Sequence, residues 1–240
     1  MAVVKISRRS DLWQQTATIN FPFDEEDLAN ALVEIGCPLE EAGNLKYSID
    51  FNTGERNYYT EHMVEIFDTT SNSLLHLNMV ALYIVNETWA FDKAEFYLDE
   101  INSNLSLLSF ASVLSQVEGS NICDYENPGG GAYASLGREM WYLDDSANVP
   151  DYYEEYVDFD GIGRDVADSY YFDENFYVDA YNVDVDPEYY TDFNEFATYE
   201  NIWSNEELER YYKEAETAND DPIEIKSVTD EILEFLEVSA

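Results

Sequence analysis

Carboxylates are the side chains whose number and spacing could support catalysis or binding in this chain. The 240 residues include 52 Asp and Glu against 11 Lys and Arg, a formal net charge of −41. Two carboxylates at a suitable separation can hydrolyse a glycosidic bond as acid and base or as acid and nucleophile. With so many acids, however, no single pair is distinguished by its position. The acids are therefore interpreted as surface charges, and the sequence predicts no catalytic residues.

The other residue types that carry site chemistry form no recognised pattern. His62 and His76 lie in neither an HExxH motif nor a Cys/His metal spacing. Cys37 and Cys123 form no CxxC motif and no disulfide framework. The glycines at 129–131 are not followed by the Lys-Ser/Thr of a phosphate-binding loop. We predict no cofactor.

A calcium loop is the remaining candidate in so acidic a chain. Asn182, Asp184 and Asp186 occupy positions 1, 3 and 5 of an EF-hand loop. Pro187 stands where the loop needs glycine, and Phe193 stands where it needs a bidentate glutamate. The pattern therefore fails, and we predict no specific metal site.

The charge also excludes several functional classes. A protein that binds nucleic acid directly has a basic surface, which this composition cannot supply. Anionic membrane surfaces would repel the chain. The longest apolar run is residues 79–85, far short of the roughly 18 residues of a spanning helix. The N-terminal residues lack the apolar core of a signal peptide, so we expect a cytoplasmic protein.

Apolar periodicity predicts short strands mixed with helices. Strands are predicted at 18–23, 47–51, 63–67 and 176–185. Helices are predicted from the N-cap Asp24 to the stop at Gly36, at 74–86, 91–101, 105–117, 158–169 and 204–217, and around 232–236. The segment 133–143 fits either a helix or a strand followed by a turn.

These elements predict an α+β fold built of small modules. The expected modules are an irregular N-terminal arm at 1–16, an N-terminal α/β domain at 17–70, a central helical domain at 71–126, an acidic domain at 127–186 and a C-terminal acidic helical extension at 187–240.

Negative charge is densest between residues 144 and 200. This segment has 18 acids, a single cation (Arg164) and many aromatic residues, a composition that favours a folded acidic surface over a solvated tail. Duplex DNA carries one phosphate charge per about 1.7 Å, so 41 charges would match about 70 Å of duplex. Composition alone makes a DNA mimic one candidate and does not distinguish it from a generic acidic protein, because net charge bears on association and not on fold. A salt-adapted enzyme and an acidic chaperone for basic proteins are further alternatives.

The segment 150–171 reads PDYYEEYVDFDGIGRDVADSYY and resembles the antirestriction motif of the ArdA family. The matching residues are Pro150, Tyr156, Asp158, Phe159, Asp160, Gly163, Arg164, Asp165 and Val166. Weaker similarities at 17–36, 74–86 and 135–145 follow in the order expected for longer members of the family. The resemblance covers about residues 17–183 and leaves out both ends of the chain.

This resemblance implies an elongated homodimer of three small domains per subunit that is not an enzyme. ArdA proteins, carried by plasmids, transposons and phages, act in the bacterial cytoplasm. Their carboxylates imitate DNA phosphates and occupy the DNA groove of the methyltransferase core of type I restriction–modification enzymes, which blocks DNA binding, cleavage and modification. An alternative target is another phage-defence nuclease or a nucleoid protein.

Two groups of site residues are predicted within and around the motif. The expected phosphate surrogates are Asp144, Asp145, Asp151, Glu154, Glu155, Asp158, Asp160, Asp165, Asp168, Asp173, Glu174 and Asp179. Tyr156, Phe159 and Val166 are expected in the core or a subunit interface, and Gly161 and Gly163 at a tight turn or close contact. Arg164 is expected to pair with Asp160 or Asp168 and hold them in register.

Overall fold

The computed structural model describes residues 2–9, 15–51, 57–67, 72–124, 131–143, 151–172 and 175–220. These residues form a mixed α+β structure with small antiparallel sheets, as predicted. The chain divides into two compact units. The first unit is residues 1–54 with 203–240, and the second unit is residues 55–202. The predicted arrangement of three small domains is not confirmed.

The described strands and helices have the following bounds. The strands are β1 (Ala2–Ser7), β2 (Ala17–Phe21), β3 (Lys46–Asp50), β4 (Cys123–Asp124), β5 (Tyr170–Phe172) and β6 (Phe176–Asp179). The α-helices are α1 (Glu25–Glu34), α2 (Tyr58–Ile66), α3 (Leu74–Asn86), α4 (Thr88–Phe96), α5 (Leu107–Gln116), α6 (Ala132–Leu143), α7 (Phe159–Val166), α8 (Phe193–Tyr199) and α9 (Asn205–Asp220). A π-helical turn, Tyr97–Ile101, continues α4.

The sheet of the first unit is built around the N-terminal strand. β1 lies between β2 and β3 and is antiparallel to both. Its alternate residues, including Val4 and Ile6, are fully buried. The prediction of an irregular arm at 1–16 is therefore wrong over residues 2–7. The strand is stable there because β2 and β3 take up the backbone hydrogen bonds of both its edges.

Local signals at both ends of α1 are confirmed. The Asp24 carboxylate accepts a hydrogen bond from the Asp27 backbone N–H at 2.9 Å, which makes it the N-cap. Gly36 follows the helix with φ of +59°, a conformation that glycine adopts without strain. Leu28 and Leu32 are buried on one face of the helix.

The last described helix belongs to the first unit, where α9 packs against α1. Just before α9, the Trp203 ring meets the Phe23 ring edge to face, with centroids 6.2 Å apart. The Tyr212 hydroxyl donates a hydrogen bond to the Cys37 carbonyl oxygen at 3.1 Å. The segment predicted as an extension is helical at 205–220, as expected, but it completes the packing of the N-terminal unit. The helix predicted around 232–236 lies outside the described residues.

We expect Trp203→Ala to lower the free energy of unfolding of the first unit by about 3 kcal/mol, as for other large buried aromatic residues. Trp203 is 6% exposed, and its removal leaves a cavity beside Phe23. Urea denaturation followed by circular dichroism measures the change. Tyr181→Ala is the control because Tyr181 is 86% exposed. Equal effects of the two substitutions would contradict the packing role of Trp203.

The second unit begins with a cluster of helices, α2 to α5. Phe91 and Phe110 are fully buried there, with their ring centroids 5.9 Å apart. α3 has the bounds predicted from the sequence. The strand predicted at 63–67 is wrong, since α2 covers these residues up to Ile66. Met63, Val64 and Phe67 have helical spacing, and all three are buried. A short apolar run fits the spacing of a helix and the alternation of a strand equally well.

The remainder of the second unit combines the helices α6 and α7 with a second small sheet. The strand order of this sheet is β4, β6, β5, and all pairs are antiparallel. The segment 133–143, left open by the sequence, lies in α6. The predicted strand 176–185 ends already at Asp179, whose carboxylate accepts a hydrogen bond from the Tyr181 N–H at 2.9 Å in a turn. None of the helices in the described segments is long and apolar enough to cross a membrane.

Candidate functional site

The residues of the motif form one half of a pair of closely packed helices, α6 and α7. Gly137 and Gly163 lie where the helices meet. A Cβ atom on Gly137 would be 1.9 Å from the carbonyl oxygen of Phe159, and one on Gly163 would be 1.9 Å from that of Tyr133. Only glycine permits this approach of the two backbones. The expected close contact at Gly163 is confirmed, and Gly137 is its counterpart.

Each helix also contributes an arginine that covers an aromatic ring of the other. The Arg138 guanidinium carbon lies 4.4 Å from the Phe159 ring centroid. The Arg164 guanidinium carbon lies 4.5 Å from the Tyr133 ring centroid. The two segments, YASLGRE and FDGIGRD, share an aromatic residue, glycine, arginine and acid at the same spacing. Equivalent residues make equivalent contacts, so the pair has an approximate local two-fold relation.

Both arginines hold carboxylates that are predicted as phosphate surrogates. Arg164 Nε donates to Asp160 Oδ2 at 2.6 Å, one helical turn away, which confirms the predicted pairing. Arg138 pairs with Glu154, which precedes α7. The Asp160 carboxylate raises the pKa of Arg164 further above its usual value. Sequence reasoning did not assign a role to Arg138, although the echo between LGRE and IGRD was the signal that could have identified it.

Four of the predicted phosphate surrogates are exposed on α7 or on the residues that flank it: Glu155, Asp158, Asp165 and Asp168. Asp158 is also the N-cap of α7, since its carboxylate accepts a hydrogen bond from the Gly161 N–H at 2.9 Å. A Cβ atom on Gly161 would be only 2.7 Å from that carboxylate. Glycine at this position leaves room for the capping acid.

The other predicted surrogates are less accessible or outside the described structure. Glu154, Asp160 and Asp179 are half-buried. The backbone of Asp151 belongs to the 3₁₀ turn Asp151–Tyr156. The remaining four, which lie outside the described residues, are Asp144, Asp145, Asp173 and Glu174.

The apolar residues of the motif differ in burial. Phe159 is 9% exposed, and half-buried Val166 packs against the cluster of Leu136 and Tyr177. Tyr156 is 76% exposed, so it lies outside the core, and its place in a subunit interface stays a prediction. It lies two residues before the Asp158 cap, outside the helix whose apolar face is buried.

A hydrogen bond joins the sheet beside α6 to a half-buried acid of that helix. The Tyr177 hydroxyl donates to Glu139 Oε2 at 2.6 Å. Burial and then the Glu139 charge raise the pKa of the Cys123 thiol. The thiol is therefore protonated at neutral pH and is a poor nucleophile. Among the described residues, no group of three or more His, Cys, Asp or Glu side chains is arranged to hold a metal ion.

The two arginines of the helix pair are expected to contribute unequally to stability. Arg138→Ala should lower the free energy of unfolding by about 1 kcal/mol, because it removes a stacking contact and an ion pair at a half-exposed site. Arg164→Ala should cost less, since that side chain is 60% exposed against 36% for Arg138. Thermal unfolding of both variants tests the order. A larger loss for Arg164→Ala would contradict it.

No protein-family model matches the chain. No curated protein and no solved structure matches it either. The resemblance to the ArdA family therefore stays a prediction that depends on the residues of the motif.

Proposed function

We propose that this protein is a DNA mimic that inhibits type I restriction–modification enzymes. The observation that supports the proposal best is the helix pair of α6 and α7, which presents exposed carboxylates on a closely packed scaffold. Glu155, Asp158, Asp165 and Asp168 are exposed on or beside α7, which two glycines and two arginines hold against α6. A phosphate surrogate must be both charged and fixed in position, because ordering a mobile side chain on binding costs free energy.

The distribution of positive charge supports the same proposal. Within the described residues of the second unit, the basic side chains are Lys93, Arg138 and Arg164, and each forms an ion pair with a carboxylate. The cations therefore brace the structure and leave a surface dominated by acids. Such a surface attracts the Lys and Arg side chains of a DNA-binding groove and repels other acidic surfaces.

The target follows from the motif residues. They resemble the ArdA family, whose members occupy the DNA site of the methyltransferase core as homodimers in the bacterial cytoplasm. The same surface chemistry would suit another phage-defence nuclease or a nucleoid protein, because positively charged DNA grooves share the same electrostatic requirement. These proteins are the alternative targets in the test.

A competition assay tests the proposal. A type I methyltransferase core is bound to a labelled duplex that contains its site, and the protein is titrated at two salt concentrations. We expect displacement near stoichiometry and weaker displacement at the higher salt, since ion pairs across the interface are screened. Absence of displacement by folded protein would exclude this target, and displacement that is independent of salt would exclude mimicry by charge.

Folding as a function of salt separates the mimic from a salt-adapted enzyme. A mimic must be folded at low salt, where its electrostatic binding is strongest. An acidic enzyme adapted to salt would require molar salt to fold. Circular dichroism across a salt series distinguishes the two, and loss of structure at low salt would contradict the proposal.

A further inference from the structure

A cavity of about 470 Å³ opens on the second unit, and none of the residues that line it belongs to the helix pair. Its volume falls within the range of small-ligand sites, which is roughly 300–1,000 Å³. The cavity is lined by Trp89, Asp92, Lys93, Glu118, Asp124 and Phe176. These residues come from α4, the turn that follows α5, β4 and β6, so four separate segments of the chain build it.

The aromatic part of the cavity is held in place and partly open to solvent. Trp89 is 43% exposed, and its indole Nε1–H donates to Glu87 Oε2 at 2.7 Å. This hydrogen bond fixes the ring without burying it. Phe176 is 7% exposed and supplies a second aromatic wall. Tryptophan is the aromatic side chain that attracts cations most strongly.

The charged part of the cavity is negative. Asp92, Glu118 and Asp124 are exposed at the cavity. The only basic residue among those that line it is Lys93, whose side chain is 13% exposed. Its ammonium group donates to the Ile122 carbonyl oxygen at 2.9 Å and pairs with Asp124 Oδ2 at 3.0 Å. Lys93 therefore acts as part of the wall, and the cavity as a whole favours a cation.

We propose that this cavity binds the guanidinium group of an arginine side chain presented by a partner protein. A guanidinium is planar, so it stacks on a ring such as that of Trp89 while its N–H groups reach carboxylates such as Asp92 and Glu118. An ammonium group is compact and strongly hydrated, and it gains less from such a site. The inference goes beyond the proposed function, because an arginine-presenting partner need not be a restriction enzyme.

The experiment titrates the full chain with N-acetyl-arginine amide and follows the indole N–H signals by NMR. The signal of Trp89 is identified by its absence from Trp89→Leu. We expect a saturable shift of this signal. N-acetyl-citrulline amide, which has nearly the same shape without the charge, should bind at least about tenfold more weakly. Trp89→Leu should weaken binding of the arginine probe about two- to fivefold, as measured by calorimetry.

Matched double variants separate the cavity from general attraction to an acidic protein. Asp92→Asn with Glu118→Gln removes two charges at the cavity, and Asp165→Asn with Asp168→Asn removes two at the helix pair. The first variant should weaken arginine binding about tenfold, and the second less than about twofold.

Three results would overturn the proposal. They are equal weakening in the two double variants, no saturable shift of the Trp89 signal, and binding of N-acetyl-lysine amide as tight as that of the arginine probe. Thermal unfolding verifies that each variant is folded, and the double variants remain informative if Trp89→Leu does not fold. Because the probe is a small molecule, this outcome is independent of the competition assay with the restriction enzyme.

Discussion

Gly163→Ala is expected to lower the free energy of unfolding of the second unit by about 3 kcal/mol, the upper end of the usual cost of overpacking. The added methyl group would lie 1.9 Å from the Tyr133 carbonyl oxygen, a backbone atom that cannot rotate away. The two helices must therefore move apart, which also separates the arginines from the rings that they cover. Urea denaturation followed by circular dichroism measures the loss.

Another glycine of the same unit provides the control. A Cβ atom on Gly119 meets nothing within 4 Å, so Gly119→Ala introduces the same methyl group without a clash. We expect that variant to change stability by less than about 1 kcal/mol. Gly137→Ala should behave like Gly163→Ala, and the double substitution should cost less than the sum, because one separation of the helices relieves both clashes. Equal stability of Gly163→Ala and Gly119→Ala would disprove the close crossing.

Neutralising the four exposed acids of the helix pair should weaken inhibition of the methyltransferase core about 30-fold, whereas each single change should cost about two- to threefold. The variant combines Glu155→Gln, Asp158→Asn, Asp165→Asn and Asp168→Asn. Asparagine at position 158 preserves the N-cap of α7, so the helix should persist. The affinity should also depend less steeply on salt, because fewer ion pairs form with the enzyme. The slope of log affinity against log salt concentration should fall by about one for each ion pair removed. The competition assay measures both quantities.

A second set of four exposed acids, in the first unit, is the matched control: Glu26→Gln, Glu34→Gln, Glu40→Gln and Glu206→Gln. It removes the same charge from residues outside the motif. We expect at most about a threefold effect, since none of these four acids belongs to the motif that carries the proposal and single exposed charges contribute little. An equal loss in the two variants would show that net charge alone inhibits. A complete loss from one acid-to-amide change in a folded protein would contradict distributed mimicry.

Features that depend on neighbouring residues could be predicted from the sequence. The Asp24 cap, the stop at Gly36 and the bounds of α3 follow from side chains within a few positions of each other. The ion pair of Arg164 with Asp160 is of the same kind, because residues four apart lie on one face of a helix. The α+β class follows from adding such local signals along the chain.

Contacts between distant parts of the chain could not be predicted in this way. The sequence predicts a strand at residues 63–67, within and just after α2, because five residues fit both helical spacing and strand alternation. Only the packing of α2 identifies which of its faces is buried. α9 joins the first unit through contacts such as that of Tyr212 with Cys37, which are 175 residues apart. Nothing in the local composition of a polar, acidic helix indicates which distant apolar surface it covers.

The candidate site also has features of both kinds, some that depend on neighbouring residues and some that depend on contacts between distant parts of the chain. The dense negative charge between residues 144 and 200 and the residue types of the motif can be read from the order of residues. The folded structure was needed to show that Gly137 and Gly163 lie at the helix crossing, that Arg138 covers Phe159, and which acids are exposed. Charge and helical periodicity are properties of short stretches of chain. Burial and close approach depend on which surfaces exclude water from each other, and that is fixed only when the whole chain has folded.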